Sequence, residues 1–200
     1  MKILNKNKIN IGVLTSSRAD YAIYKPLLYE LNNDNRFKVT IIVFGMHLQG
    51  KYGKTINIIK SDNFGEIHEV EGMPKGDTPL SISKGYANLV NCFSDYWNSN
   101  NFKNVLCLGD RFEMSAAVQA GVLFNVNFIH LHGGETTLGA VDNIYRHQIS
   151  LASKIHIVAS DIFLKRLSGI IGSKKDIFNF GALSLDGIDT TKIIDWESIC

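Results

Sequence analysis

Val105-Leu106-Cys107-Leu108-Gly109-Asp110-Arg111-Phe112-Glu113 decides how the rest of the chain is read. The apolar run Val105 to Leu108 has the length and composition of a buried strand. The residues from Phe112 to Phe124 form an Ala-rich helix, so Gly109-Asp110-Arg111 is the turn between them. The pattern recurs downstream, where the strand Phe128 to Leu131 runs into His130-Leu131-His132-Gly133-Gly134-Glu135. In a wound α/β sheet both clusters fall at the carboxyl edge of the strands, the edge at which ligands bind.

Working outward, strands are expected at Ile9 to Leu14, Val39 to Phe44, Glu66 to Val70, Ile155 to Val158 and Ile177 to Phe180. Helices are expected at Tyr21 to Leu31, Lys51 to Lys60, Leu80 to Trp97, Asp142 to Leu151 and from about Ser160. The turn-rich stretch Gly72 to Pro79 interrupts the rhythm. Strand and helix in alternation imply a parallel Rossmann-like α/β sheet with helices on both faces and right-handed crossovers. The rhythm stops after Gly181 to Gly187. The expected division is therefore a domain over 1–182 and, over 183–200, a linker with the start of another domain.

The chain has 200 residues, 45% of them hydrophobic and 20% charged, with a formal net charge of +2. Such a balance offers no field for nucleic acid or a membrane surface, and neither is expected as a partner. Cys92, Cys107 and Cys200 are too widely spaced for a zinc or redox motif, and reduced thiols are expected. Met1 to Lys8 is basic but is not followed by a proper signal core, and no apolar run approaches the ~20 residues of a membrane span. A soluble cytoplasmic protein is the expectation.

The candidate site residues each have an ordinary reading beside the functional one. Thr15-Ser16-Ser17-Arg18 precedes a helix whose N-terminus and Arg18 suit a phosphate, while Ser17 or Asp20 can equally be a plain cap. There is no GxGxxG and no Walker lysine there. His47, in Gly45-Met46-His47-Leu48, lies at the same edge and can be structural. Asp110 can cap the following helix, with Glu113 in its first turn and Arg111 as ion-pair partner or phosphate clamp. Alternation puts His130 and His132 on the same side of the strand end. With Glu135 they can hold a divalent metal, provide acid and base groups, or form a buried turn. Asp142 can cap its helix and pair with Arg146 at i,i+4. It can also face one cleft with Asp110 and Glu135.

Taken in order, Arg18-Ala19-Asp20-Tyr21, Gly45-Met46-His47-Leu48 with Tyr52-Gly53, Gly109-Asp110-Arg111-Phe112-Glu113, His132-Gly133-Gly134-Glu135, Gly139-Ala140-Val141-Asp142 with Arg146-His147, and Gly181-Ala182-Leu183-Ser184-Leu185-Asp186 cover nearly the whole chain. This ordered set resembles the hydrolysing UDP-N-acetylglucosamine 2-epimerases of sialic-acid and related nonulosonic-acid biosynthesis. The resemblance implies the N-terminal half of a two-domain GT-B architecture, a UDP-sugar in the interdomain cleft and no cofactor. It implies conversion of UDP-GlcNAc and water to ManNAc and UDP, by elimination to a glycal and then hydration. Arg18 and Arg111 would contact the UDP phosphates. Asp110 and Asp142 match acid/base positions, with Asp142 handling the C2 proton. His47, Glu113, Arg146 and His147 would shape the sugar pocket, and a homo-oligomer is expected of the full-length protein.

Two departures qualify what the resemblance implies. Some members read His-x-Glu-Gly-Gly-Glu, and the first of those glutamates is His132 here. Either His132 or Glu135 takes its role, and a UDP-2,4-diacetamido-trideoxyhexose is the alternative substrate. The family's members are also nearly twice as long, so the 200-residue chain alone is expected to be nearly inactive. A metal-dependent phosphoesterase and a non-catalytic domain are the competing classes. The first strand lacks the Asp-x-His pair that a phosphoesterase would carry.

Overall fold

Alternation along the central strands separates two layers of core. Leu14, Ile42, Val105 and Cys107 pack into one apolar cluster, while Val13, Ile41, Leu106 and Leu108 pack into another. Strands buried on both faces in this way read as unbroken apolar runs, as parallel strands do. The computed structural model describes residues 8–186. Within them the elements are β1 (Ile9–Thr15), α1 (Arg18–Asn33), β2 (Phe37–Val43), α2 (Ile56–Asp62), β3 (Glu66–Glu69), α3 (Pro79–Ser99), β4 (Asn104–Leu108), α4 (Phe112–Gly121), β5 (Asn127–Leu131), α5 (Asp142–Ala152), β6 (Ile155–Val158), α6 (Asp161–Ile171) and β7 (Ile177–Asn179).

The seven strands form one sheet in the order β3-β2-β1-β4-β5-β6-β7, and every neighbouring pair is parallel. Residues of α1 and α2, such as Tyr24, Leu28 and Ile59, belong to one core cluster. Residues of α3, α4 and α5, such as Leu89, Met114 and Ile149, belong to the other. Helices therefore cover both faces. The order runs outward in both directions from β1 and β4, so the crevice between these two strands is the topological switch point.

Two expectations are corrected. Residues 51–60 do not form one helix. Tyr52 ends a single 3₁₀ turn (Gly50–Tyr52), Gly53 and Lys54 take left-handed φ values of 86° and 45°, and α2 begins only at Ile56. Two successive left-handed residues cannot continue a right-handed helix. The helix after Arg111 tightens beyond Gly121 into a 3₁₀ turn (Val122–Phe124) rather than running through as α-helix. The expected linker begins with a 3₁₀ turn (Leu183–Leu185) whose Leu183 packs on the α1 core. The rest of it, residues 187–200, lies outside the described residues, as do Cys200 and residues 1–7. Among the described residues no helix is long and apolar enough to cross a membrane.

Candidate active site

Three loops meet at the carboxyl edge around the switch point. The first joins β1 to α1. Ser17 caps α1 and Asp20 returns the bond to the cap backbone, a reciprocal capping box. Asp20 is buried and also accepts from Thr15 Oγ1 (2.6 Å), Ser16 N (2.9 Å) and Ser16 Oγ (3.0 Å). The capping reading of Ser17 and Asp20 is thus realised. Arg18, the first residue of α1, is exposed and makes no ion pair among the described residues.

His47 sits in the loop after β2 and is fully buried. Its Nε2 lies 3.0 Å from Thr15 Oγ1 and its Nδ1 2.7 Å from Thr55 Oγ1. Thr15 spends its hydrogen on Asp20, so Nε2 donates to Thr15 and Nδ1 accepts from Thr55. Both ring nitrogens are occupied. The ring ties β1 to the loop before α2, so His47 acts on the site by ordering its walls.

The second loop joins β4 to α4. Arg111 is the N-cap residue of α4, without a side-chain cap bond, so Asp110 does not cap that helix. Arg111 Nε donates to Glu113 Oε1, and Nη2 lies 3.8 Å from Met46 Sδ. Burial works against the Arg111 charge, but Glu113, and beyond it Asp20 and Asp142, outweigh burial and raise its pKa. Glu113 is fully buried with Oε2 unpartnered among the described residues. Burial lifts its carboxyl above the usual range, while Arg111 pulls the other way. Glu113 therefore acts on the site through Arg111, which it holds.

The third loop follows β5. His132 lies just beyond the strand in a left-handed conformation, φ 63°. That turn takes His132 out of the regular alternation of β5. His132 Nδ1 donates to Glu135 Oε1 at 2.6 Å, which leaves Nε2 as the free ring atom. His130 is engaged elsewhere, through Gly109 O and Ser150 Oγ, so the two histidines and Glu135 form no ligand set. Among the described residues no three His, Cys, Asp or Glu side chains gather as metal ligands.

Arg146, buried on α5, joins the second and third loops. Its Nη2 donates to Asp110 Oδ2, and its Nη1 to the His132 carbonyl (2.8 Å) and to Glu135 Oε2 (3.4 Å). The expected Asp142–Arg146 pair is absent among the described residues, because Arg146 extends away from its own helix toward these carboxylates. Nor is Asp142 a cap; it is the first helical residue, half-buried, after Val141. His147 is half-buried with no hydrogen bond among the described residues. Asp110, Glu135 and the His132 carbonyl are thus gathered by one guanidinium, with Arg111 next to Asp110 in the chain and the Asp142 charge among those that raise the Arg111 pKa.

Sequence reasoning passed over Arg166 and Ser150. Arg166 on α6 donates to Gly134 O (3.0 Å) and Thr136 Oγ1 (2.6 Å), bracing the loop from the far side. Gly134 is required there: a Cβ would stand 2.4 Å from the Phe163 carbonyl, at φ 77°. The paired glycines after His132 were the only signal of so close an approach.

Two buried histidines beneath this site set an acid limit on stability. Burial holds His130 neutral, its pKa depressed to about 3, and does the same to His156, at about 4. The unfolded chain takes up these protons near pH 6.5, so their contribution to stability is complete above that pH and is lost as pH falls below it. Each histidine removes about 1.4 kcal/mol per pH unit in that window. Urea unfolding at pH 5 should therefore give a stability lower than at pH 7 by about 4 kcal/mol, reduced by the opposing shift of Glu113. A flat profile between these pH values would contradict the assignment.

Comparison with known proteins follows the same lines. Residues 29–198 match the family model described as UDP-N-acetylglucosamine 2-epimerase. A polysialic acid biosynthesis protein of Escherichia coli is 34% identical over 173 residues, covering 86% of this chain and 44% of that protein. A UDP-N,N'-diacetylbacillosamine 2-epimerase (hydrolyzing) of Legionella pneumophila is 36% identical over 175 residues, covering 88% and 46%. The solved UDP-GlcNAc 2-epimerase of Neisseria meningitidis, bound to UDP-GlcNAc, superposes with a TM-score of 0.75 at 15% identity, covering 89% and 47%. The fold is thus that of one domain of a GT-B type enzyme, and the chain spans about half the length of the curated relatives it matches.

Proposed function

The chain belongs to the UDP-N-acetylglucosamine 2-epimerase family, and from that premise we propose that it supplies the sugar-side wall of a hydrolysing 2-epimerase. The substrate is UDP-GlcNAc, the co-substrate is water, and the products are ManNAc and UDP. The observation that carries this reading is the convergence on Arg146 of Asp110, Glu135 and the His132 carbonyl at the carboxyl edge of the sheet.

The reaction asks for two things. A weakly acidic C2–H must be broken while the C1–O bond to diphosphate breaks, and a proton must then be returned to the opposite face of C2 as water adds at C1. The Asp142 carboxylate takes the C2 proton in this scheme. Arg111, aimed by Glu113, and Arg18 at the α1 N-terminus neutralise the departing diphosphate. His132, once Nε2 has taken a proton from solvent, returns it to C2, with Glu135 holding the ring through Nδ1. Asp110 is held in place by Arg146.

A second reading keeps this chemistry on a UDP-2,4-diacetamido-trideoxyhexose. It is favoured by the name of the Legionella relative and by His132, which stands where some members carry glutamate. We propose further that turnover needs a second nucleotide-binding domain, and that the 200-residue chain alone turns over negligibly. In a polypeptide carrying both halves, UDP and ManNAc should appear in equal amounts from UDP-GlcNAc. The diacetamido sugar run beside it separates the two readings. UDP release from neither, or fast release by the 200-residue chain alone, would contradict the proposal.

A further inference from the structure

His130 is buried, belongs to β5 and has no place in the chemistry above, yet one of its ring nitrogens is committed to a site loop and the other to α5. Nε2 lies 2.9 Å from the carbonyl of Gly109, the residue before Asp110, and Nδ1 lies 3.0 Å from Ser150 Oγ. A carbonyl can only accept, so Nε2 carries the hydrogen and Nδ1 accepts from the serine hydroxyl. Ser150 is fully buried on α5, four residues after Arg146 and hence on the same helix face. Arg146 in turn holds the Asp110 carboxylate.

These bonds close a ring: Gly109 to His130, His130 to Ser150, Ser150 along α5 to Arg146, and Arg146 to Asp110. Gly133 leaves the space the ring needs, since a Cβ there would stand 3.1 Å from His130 Nδ1 and 3.3 Å from Ser150 Oγ. An apolar side chain could fill the same volume. It would leave the Gly109 carbonyl unpaired and the peptide ahead of Asp110 held only by the Gly109 N–H bond to Leu131 O.

We propose that His130 is a positioning residue, whose Nε2–H holds the Gly109 carbonyl and so fixes the Asp110 peptide in register with Arg146 on α5. The proposal rests on the reading of Asp110 as part of the proton-handling wall. Burial keeps the ring uncharged through the working pH range, so the link does not titrate away there.

The test compares His130→Gln, whose amide nitrogen can replace Nε2 as donor, with His130→Leu and Ser150→Ala. In the 15N-labelled 200-residue chain, the Arg146 guanidinium nitrogens should give separate, slowly rotating signals. They should persist in His130→Gln and merge in His130→Leu. In the two-domain polypeptide, kcat of His130→Leu should fall about ten- to hundredfold with KM nearly unchanged, because the loss is one of alignment. The glutamine variant should recover most of it. If His130→Leu does not fold, Ser150→Ala should show the same changes more weakly. A folded variant lacking the His130 or Ser150 link that keeps both the Arg146 signals and kcat would overturn the proposal. A parent enzyme without epimerase activity would instead sink the functional reading, and the Arg146 signals would still decide this one.

Discussion

Arg146→Met is expected to destabilise the fold by about 3 kcal/mol, at the lower end of the range for removing one partner of a buried ion pair. Arg146 is the only arginine or lysine bonded to either Asp110 or Glu135 among the described residues, and its side chain is 6% exposed. Methionine keeps most of the volume, so the loss is electrostatic and not a cavity. The two carboxylates are 22% and 27% exposed, and water can reach them in part. That is why the lower end of the range applies. Chemical denaturation of the 200-residue chain measures the effect, and a change under about 0.5 kcal/mol, the size of an ordinary surface substitution, would mean the cluster is not held as described.

Asp142→Asn should do the reverse, leaving stability nearly intact while stopping the chemistry. Asp142 makes no hydrogen bond or ion pair among the described residues, and it stands in the first turn of α5. Its loss there removes a favourable helix-dipole interaction of about 0.3–1 kcal/mol. Asparagine is nearly isosteric but cannot take a proton from C2. In the two-domain polypeptide UDP release should fall by about 10²–10⁴-fold, the usual contribution of a positioned base. Retention of more than a tenth of the activity would move the base assignment from Asp142 to Asp110. The two substitutions are a matched pair, since one group is bonded from several sides and the other is free to react.

The fold was legible because parallel strands buried on both faces leave uninterrupted apolar runs, such as Val39 to Phe44 and Val105 to Leu108. The helices between them show their turns of apolar residues. Where the reading failed, a backbone angle decided. Gly53 and Lys54, with left-handed φ values, break a segment of good helical composition. Side-chain reach was equally hidden. Arg146 has an acid four residues before it, the pattern of a helix surface pair, but only the fold brings Asp110 and Glu135 close enough to win it. Ser150 gave no signal at all. A serine among apolar residues on α5 reads as solvent-facing until the histidine beneath it is known.

The central claim is that the C2–H bond is broken and remade, and solvent exchange at that carbon tests it. UDP-GlcNAc is incubated with the two-domain polypeptide in deuterium oxide, and the amino sugar released is examined by NMR and mass spectrometry. The expected result is UDP release together with ManNAc carrying one deuterium at C2, and the same label in the diacetamido product if that sugar is the substrate. UDP released with product bearing hydrogen at C2 would contradict it.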